Sequence, residues 1–163
     1  MKASVKKIEF SKNELKMINP RLEGHDEKAG SYLITADNAV QSVDAAHVIR
    51  LNSVDGKLEH PKNGILKLKA NEGVFDSKTE ILDLAGDIVV TGDNGVMAKL
   101  EKANIIFKTQ KISSELPVYA EMNGSTIRSE RVQIDGLSKT VLFLDRVRVK
   151  LIKAPKAAEK AAN

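Results

Sequence analysis

Apolar and polar residues alternate along much of this chain, and a period of two leaves few folds open. Leu82, Leu84, Gly86, Ile88 and Val90 share one face of a single run. Val141, Phe143, Val147, Val149 and Leu151 share a face of another, with Arg146, Arg148 and Lys150 opposite. Such alternation is the mark of a half-buried strand. Asp55-Gly56, Asn63-Gly64, Asn94-Gly95, Asn123-Gly124 and Asp135-Gly136 punctuate the runs. Asn-Gly and Asp-Gly accept the positive φ of tight hairpins. The pattern predicts an all-β chain built from short antiparallel strands. The one helical pattern, over residues 153–163, has no apolar stripe and reads as a flexible tail. Residues 1–7 read as a second loose end, leaving residues 8–152 as the β domain.

An internal repeat sharpens this. Ile34-Thr35-Ala36-Asp37-Asn38-Ala39 aligns with Leu68-Lys69-Ala70-Asn71-Glu72-Gly73. It aligns again with Ala98-Lys99-Leu100-Glu101-Lys102-Ala103 and with Ile127-Arg128-Ser129-Glu130-Arg131-Val132. In each, two polar residues interrupt the alternation, which predicts a bulge or tight bend between two short strands. The units recur roughly every thirty residues, the range of stacked repeats. One such unit cannot bury its apolar face alone, so stacking builds a continuous apolar trough.

Composition limits what such a trough can hold. Of the 163 residues 42% are hydrophobic, only 4% are aromatic, and there is no Trp. An aliphatic lining suits a flexible chain-like ligand better than bases or sugar rings, which need aromatic platforms. Leu68, Leu84, Ile88, Leu100, Ile105, Phe107, Val118 and Ile134 are candidates for that lining, and an ordinary closed core is the alternative reading. Nucleic acid is not expected as a partner. The net charge of +4 is mild, and Phe75, Phe107 and Phe143 fall on apolar-facing positions instead of standing exposed among Lys and Arg. There is no Cys, His25, His47 and His60 are scattered, and no nucleophile elbow or phosphate loop is present. No cofactor, metal or enzymatic activity is therefore expected. No apolar run approaches the ~20 residues of a membrane span, and no signal peptide is visible. The terminal strands, Ile8 and Phe10 at one end and Val147, Val149 and Leu151 at the other, are candidate edges for a partner strand. A structural β-solenoid that associates end to end shares these features.

The layout resembles the periplasmic domain of the lipopolysaccharide-export protein C (LptC) family, whose fold is shared with export proteins A and D. The resemblance runs from Met17-Ile18-Asn19-Pro20-Arg21-Leu22-Glu23-Gly24-His25-Asp26 through Tyr32-Leu33-Ile34-Thr35-Ala36-Asp37-Asn38-Ala39. It is strongest at Leu68 to Phe75 and Leu82 to Ile88, and it ends with Ser114-Glu115-Leu116-Pro117-Val118 and Val141 to Leu151. It implies a twisted, partly open β-jellyroll, or β-taco, whose interior holds lipopolysaccharide acyl chains. It also implies a periplasmic place, anchored to the inner membrane by an N-terminal helix that this chain lacks. The partners it implies are lipopolysaccharide, the inner-membrane ABC-type extractor complex (LptB2FG) and the periplasmic bridge protein LptA, joined edge to edge by strand addition. Asp145 stands where the parallel unit has Gly86, so a different bend is expected in the last unit.

Overall fold

The computed structural model describes residues 2–152 except 29, 63, 136, 137 and 139. The predicted C-terminal tail lies outside the described residues. Four short strands open the chain: β1 (Lys2–Ser4), β2 (Lys7–Ser11), β3 (Glu14–Ile18) and β4 (Arg21–Asp26). Five long ones follow: β5 (Gly30–Ser42), β6 (Val48–His60), β7 (Gly64–Asp76), β8 (Ile81–Gly92) and β9 (Met97–Ile106). Six short ones close it: β10 (Lys111–Ser114), β11 (Val118–Met122), β12 (Ser125–Ser129), β13 (Arg131–Asp135), β14 (Thr140–Leu144) and β15 (Arg148–Lys150). All pair antiparallel in one sheet. Among the described residues the only helical element is the 3-10 turn Val43–Ala45. None of their helices could cross a membrane.

Each long strand breaks its alternation once: β5, β7 and β9 at the repeated polar pair, β6 at Asn52-Ser53 and β8 over Ala85-Gly86-Asp87. Around the pair in β5, Ile34, Ala36 and Ala39 are buried and Asp37 and Asn38 turn out. Around the pair in β7, Leu68, Ala70 and Gly73 are buried and Asn71 and Glu72 turn out. Around the pair in β9, Leu100 and Ala103 are buried and Glu101 and Lys102 turn out. Two successive outward residues let one strand present inward residues on both sides of a bend. The bends lie in register from strand to strand, so they form a crease across the sheet. The crease divides the sheet into two arms. Arm one runs β2-β3, then the crease-to-turn halves of β5 to β9 that carry Ala39, Leu51, Gly73, Leu84 and Ala103, then β10-β13-β14. Arm two runs β1-β4, the remaining halves of β5 to β9, then β11-β12-β15. The product is a single folded sheet open along one side, the expected β-taco.

Small side chains let the arms meet. Along the inner row beside the crease, Ala39, Leu51, Gly73, Leu84 and Ala103 alternate small and large on successive strands. That alternation lets facing layers interdigitate at interior density. β8 carries one extra residue relative to both neighbours, and Gly86 (φ 84) and Asp87 (φ 45) take it up in the left-handed region. Gly86 thus belongs to the bend.

The other sequence expectations divide. Asp145 (φ 62) and Arg146 (φ 47) repeat the left-handed pair of Gly86 and Asp87, so the last unit bends as β8 does. The Asp145 carboxylate accepts from Arg131 Nε at 2.6 Å, which helps to hold a conformation that disfavours non-glycine residues. Asp55-Gly56 is not a turn; it lies inside β6, where Leu68 leans over Gly56 so closely that a Cβ would come within 2.7 Å of it. Lys2–Ser4, expected to be loose, pairs with β4. The β7–β8 turn has no glycine and is held by the Asp76 carboxylate, which accepts from the N–H groups of Lys78 (2.9 Å) and Thr79 (3.2 Å).

Gly73 tests the crease. A Cβ there would lie 3.1 Å from Leu84 and 3.2 Å from Leu82 and Val54. Gly73→Val should cost about 1–3 kcal/mol by overpacking. Urea unfolding should show this as a lower midpoint, with a far-ultraviolet spectrum that stays β.

Candidate lipid trough

Residues paired across adjacent strands share a face, so the register fixes which side chains point inward. In arm one, an inward row passes Phe10, Ile49, Phe75, Leu82, Ile105, Ile134 and Val141. In arm two, a row passes Leu22, Ile34, Gly56, Leu68, Val90, Ala98, Ala120, Ile127 and Val149. Each row crosses the whole sheet; that of arm one also passes Leu15, Gln41 and Ile112, so one polar side chain, Gln41, interrupts it. In mid-sheet its members are buried, but at the ends the same rows emerge into solvent. Phe10 is 75% exposed, Val141 49% and Val149 54%; Ile8, which ends the row beside the crease through Met17 and Ala39, is 51% exposed.

The sequence-predicted lining residues fall on these inward faces. Leu84 and Ile105 belong to arm one, and Leu68, Ile88, Leu100 and Val118 to arm two. Phe107 sits in the turn after β9. These seven are buried in one contiguous core, and Ile134, half-buried, packs against it. In mid-sheet they pack between the arms; Leu84 also borders an open pocket of about 400 Å³ with Val74, Ala103 and Leu116. Val147 and Leu151, flanking β15, are exposed.

The closure has a definite fastening. Tyr32, in arm two, stacks on Phe107 of arm one with ring centroids 4.1 Å apart, and Phe107 meets Phe75 edge-on at 6.2 Å. The Tyr32 hydroxyl donates to Glu80 Oε1 at 2.8 Å, in the β7–β8 turn of arm one. Gly24, the register partner of Tyr32, leaves room for the ring; a Cβ would lie 2.2 Å from it. We call this contact the clasp. Sequence reasoning missed Tyr32 and Glu80 as a pair. Their only signal was a Tyr in the inward phase, two residues before Ile34.

Beside the clasp the mouth is open. A cleft of about 290 Å³ lies between the tips of β6 to β8 in arm two and β10, β13 and β14 in arm one. Leu58, Leu66, Ile112, Ile134 and Val141 give it apolar walls, with His60 and Gln110 at its polar rim. A larger concavity of about 660 Å³, on the outside of arm two, is lined by Arg21, Glu23, His25, Lys57 and Glu59. Arg21 pairs with Glu23 at 2.5 Å and Lys57 with Glu59 at 3.8 Å, so its walls are charged, unlike those of the cleft. No cluster of His, Cys, Asp and Glu among the described residues could hold a metal ion.

Edge geometry is equally specific. Asn123 (φ 51) and Gly124 (φ 85) form a two-residue turn closed by Met122 and Ser125. Such a turn makes its closing pair hydrogen-bonded. Counting in twos, Ser125, Ile127 and Ser129 turn their backbone groups to β11, and Thr126 and Arg128 turn theirs to β15. Val149 sits opposite Ile127, so its N–H and C=O point to the free edge.

Crease, clasp, inward rows and unpaired ends together define an apolar-lined β-trough protein. The chain belongs to the LptC-related lipopolysaccharide-assembly family, whose model matches residues 3–151. No individual curated protein matches it. Membership gives it a role in lipopolysaccharide transport in association with the Lpt machinery, as a member of a periplasmic-domain transport family and not of a known enzyme family.

The clasp predicts a pH effect. Burial first, then the hydrogen bond and charge of Glu80, raise the Tyr32 hydroxyl well above its ordinary value of 10. The fold therefore favours the neutral phenol. Its stabilisation is complete below pH 10 and is lost as pH climbs towards the raised value. Urea midpoints measured across the alkaline range should fall more steeply for the native chain than for Tyr32→Phe.

Proposed function

We propose that residues 8–152 form a lipopolysaccharide conduit. The inward rows take the acyl chains, and the open ends pass them to the next β-trough. The observation that carries this reading is the exposure of Phe10, Val141 and Val149 at the ends of rows that are buried in mid-sheet. A closed globular core would end in polar residues there. Each methylene taken from water contributes about 0.8 kcal/mol, so one acyl chain gains several kcal/mol without a polar contact.

On this reading lipid enters at the cleft by Ile134 and Val141. Parting of the clasp exposes Leu68, Leu84, Ile88, Leu100, Ile105, Phe107 and Val118. The supplier is the ABC-type extractor of the inner membrane, and the acceptor is the periplasmic bridge protein LptA. Ile8 and Phe10 of β2 serve one joint; Val147, Val149 and Leu151 serve the other. Strand addition at β15 would extend the arm-two row across the joint.

Two experiments test the conduit. Ile134→Arg puts a charge at the half-buried mouth and should leave the domain folded while photo-crosslinking to lipopolysaccharide falls. Leu84→Arg puts it in the closed crease and should unfold the domain, because an unpaired buried charge is very costly. A folded Ile134→Arg chain that crosslinks as before would favour a scaffold that only associates end to end. Val149→Pro removes an N–H aimed at the free edge and none aimed at β12. It should fold and load lipid normally yet fail to capture the bridge protein or hand lipid on. Undiminished pairing would place the joint elsewhere.

A further inference from the structure

The outward faces of the two arms differ in charge. On arm two, Lys57 stands directly opposite Lys67, and Arg128 directly opposite Arg148. Lys69 and Lys99 lie in the same outward row as Arg128 and Arg148. Like charges facing each other across strands destabilise a sheet. The carboxylates nearby are mostly engaged: Asp55 meets Lys69 at 3.7 Å, Glu59 meets Lys57 at 3.8 Å, and Glu121 accepts from Tyr119. Among the described residues no carboxylate lies within ion-pair distance of Lys67, Lys99 or Arg148. The outward rows of arm one are mixed instead, with Glu72, Asp76 and Asp83 set among Arg50, Lys102 and Lys111.

Aliphatic surface lies between the lysines. Val89 separates Lys69 from Lys99, and Leu33 neighbours Lys57. A shallow groove of about 360 Å³ crosses β5 to β8, floored by Leu33 and Val89 and rimmed by Lys57, Lys67, Lys69 and one carboxylate, Asp55. Lysine stems lie along apolar surface while their ammonium groups reach for anions. The one outward aromatic of this region, Tyr119, is already covered by Arg128 at 4.9 Å, so bases find no free platform. A broad, uncovered sheet face of ammonium groups over short aliphatic patches fits phosphate headgroups and the first methylenes beneath them.

We propose that the outward face of arm two rests on an anionic phospholipid surface through Lys57, Lys67, Lys69, Lys99, Arg128 and Arg148. The trough lies on the reverse side of the same arm, so this contact leaves the inward rows and both ends free. The interaction uses none of the trough residues and stands apart from the conduit reading.

Vesicle flotation with the full chain tests it. Phosphatidylcholine vesicles with a minor fraction of phosphatidylglycerol should bind the chain, pure phosphatidylcholine should not, and added salt should release it. Lys67→Glu with Lys99→Glu should weaken binding roughly tenfold or more, given the contribution of each basic residue near an anionic surface. Lys16→Glu with Lys102→Glu makes the same change of net charge on arm one and should leave binding within about twofold of the native chain, because distant charges are screened. Equal losses in the two variants would overturn the proposal, as would salt-insensitive binding to both vesicles or binding to neither. Crosslinking to lipopolysaccharide, measured in the same variants, should be unchanged, so a failed trough and a failed platform give different results.

Discussion

The fold depends on the close approach of two arms across one crease. That approach needs three things in the same place on every strand: a pair of outward residues to turn the bend, a small inward residue on one strand, and a large one on the next. Ala39, Gly73 and Ala103 supply the small positions, and Leu51 and Leu84 fill the space they leave. Because the pattern is shared by neighbours, a bulky residue at one position displaces side chains on the strands either side. Where β8 carries an extra residue, Gly86 and Asp87 absorb it in the left-handed region and the inward phase is kept. The same device at Asp145 and Arg146 keeps Phe143, in β14, and Val149, in β15, on inward rows.

Closing the crease leaves the opposite side of the sheet to be managed. Mid-sheet, the clasp brings arm two down on arm one through one ring stack and one hydrogen bond. These contacts are few beside the continuous packing at the crease. The mouth is therefore the side from which the interior is most easily reached, and the cleft walled by Leu58, Leu66 and Ile134 already stands open next to it. Local opening of this kind draws on the least stable part of a structure while the rest stays folded.

Much of this was legible in the sequence, for identifiable reasons. The period of two gave the strands, and the polar pairs at Asp37-Asn38, Asn71-Glu72 and Glu101-Lys102 marked the crease, because a bend that keeps the inward phase requires two outward residues in succession. The apolar lining candidates lie on inward faces. Whether they line a cavity or a closed core depends on the separation of the arms, which no local pattern encodes. Tyr32 and Glu80 are 48 residues apart, so their contact had no sequence signature. Asp55-Gly56 misled because Gly56 serves close packing beneath Leu68, and a dipeptide does not reveal which use a glycine has. The resemblance, from Met17 to Leu151, lies within the family match over residues 3–151.

The edges show how the two faces of the sheet work together. Natural sheets guard free edges with charge, since bare backbone groups invite pairing with any strand. Here Arg148 and Lys150 point outward from β15 while Val149 points inward, and in β2 Lys7 and Glu9 point outward while Ile8 and Phe10 point inward. A strand that joins such an edge must match this alternation. Slipping it by one residue would put its charges over the apolar row and its apolar residues in water. The edge therefore admits only partners whose own inward phase is aligned with the trough. Pairing and continuity of the lining are then one condition: a partner that docks in register extends the inward rows, and one that does not extend them cannot dock well.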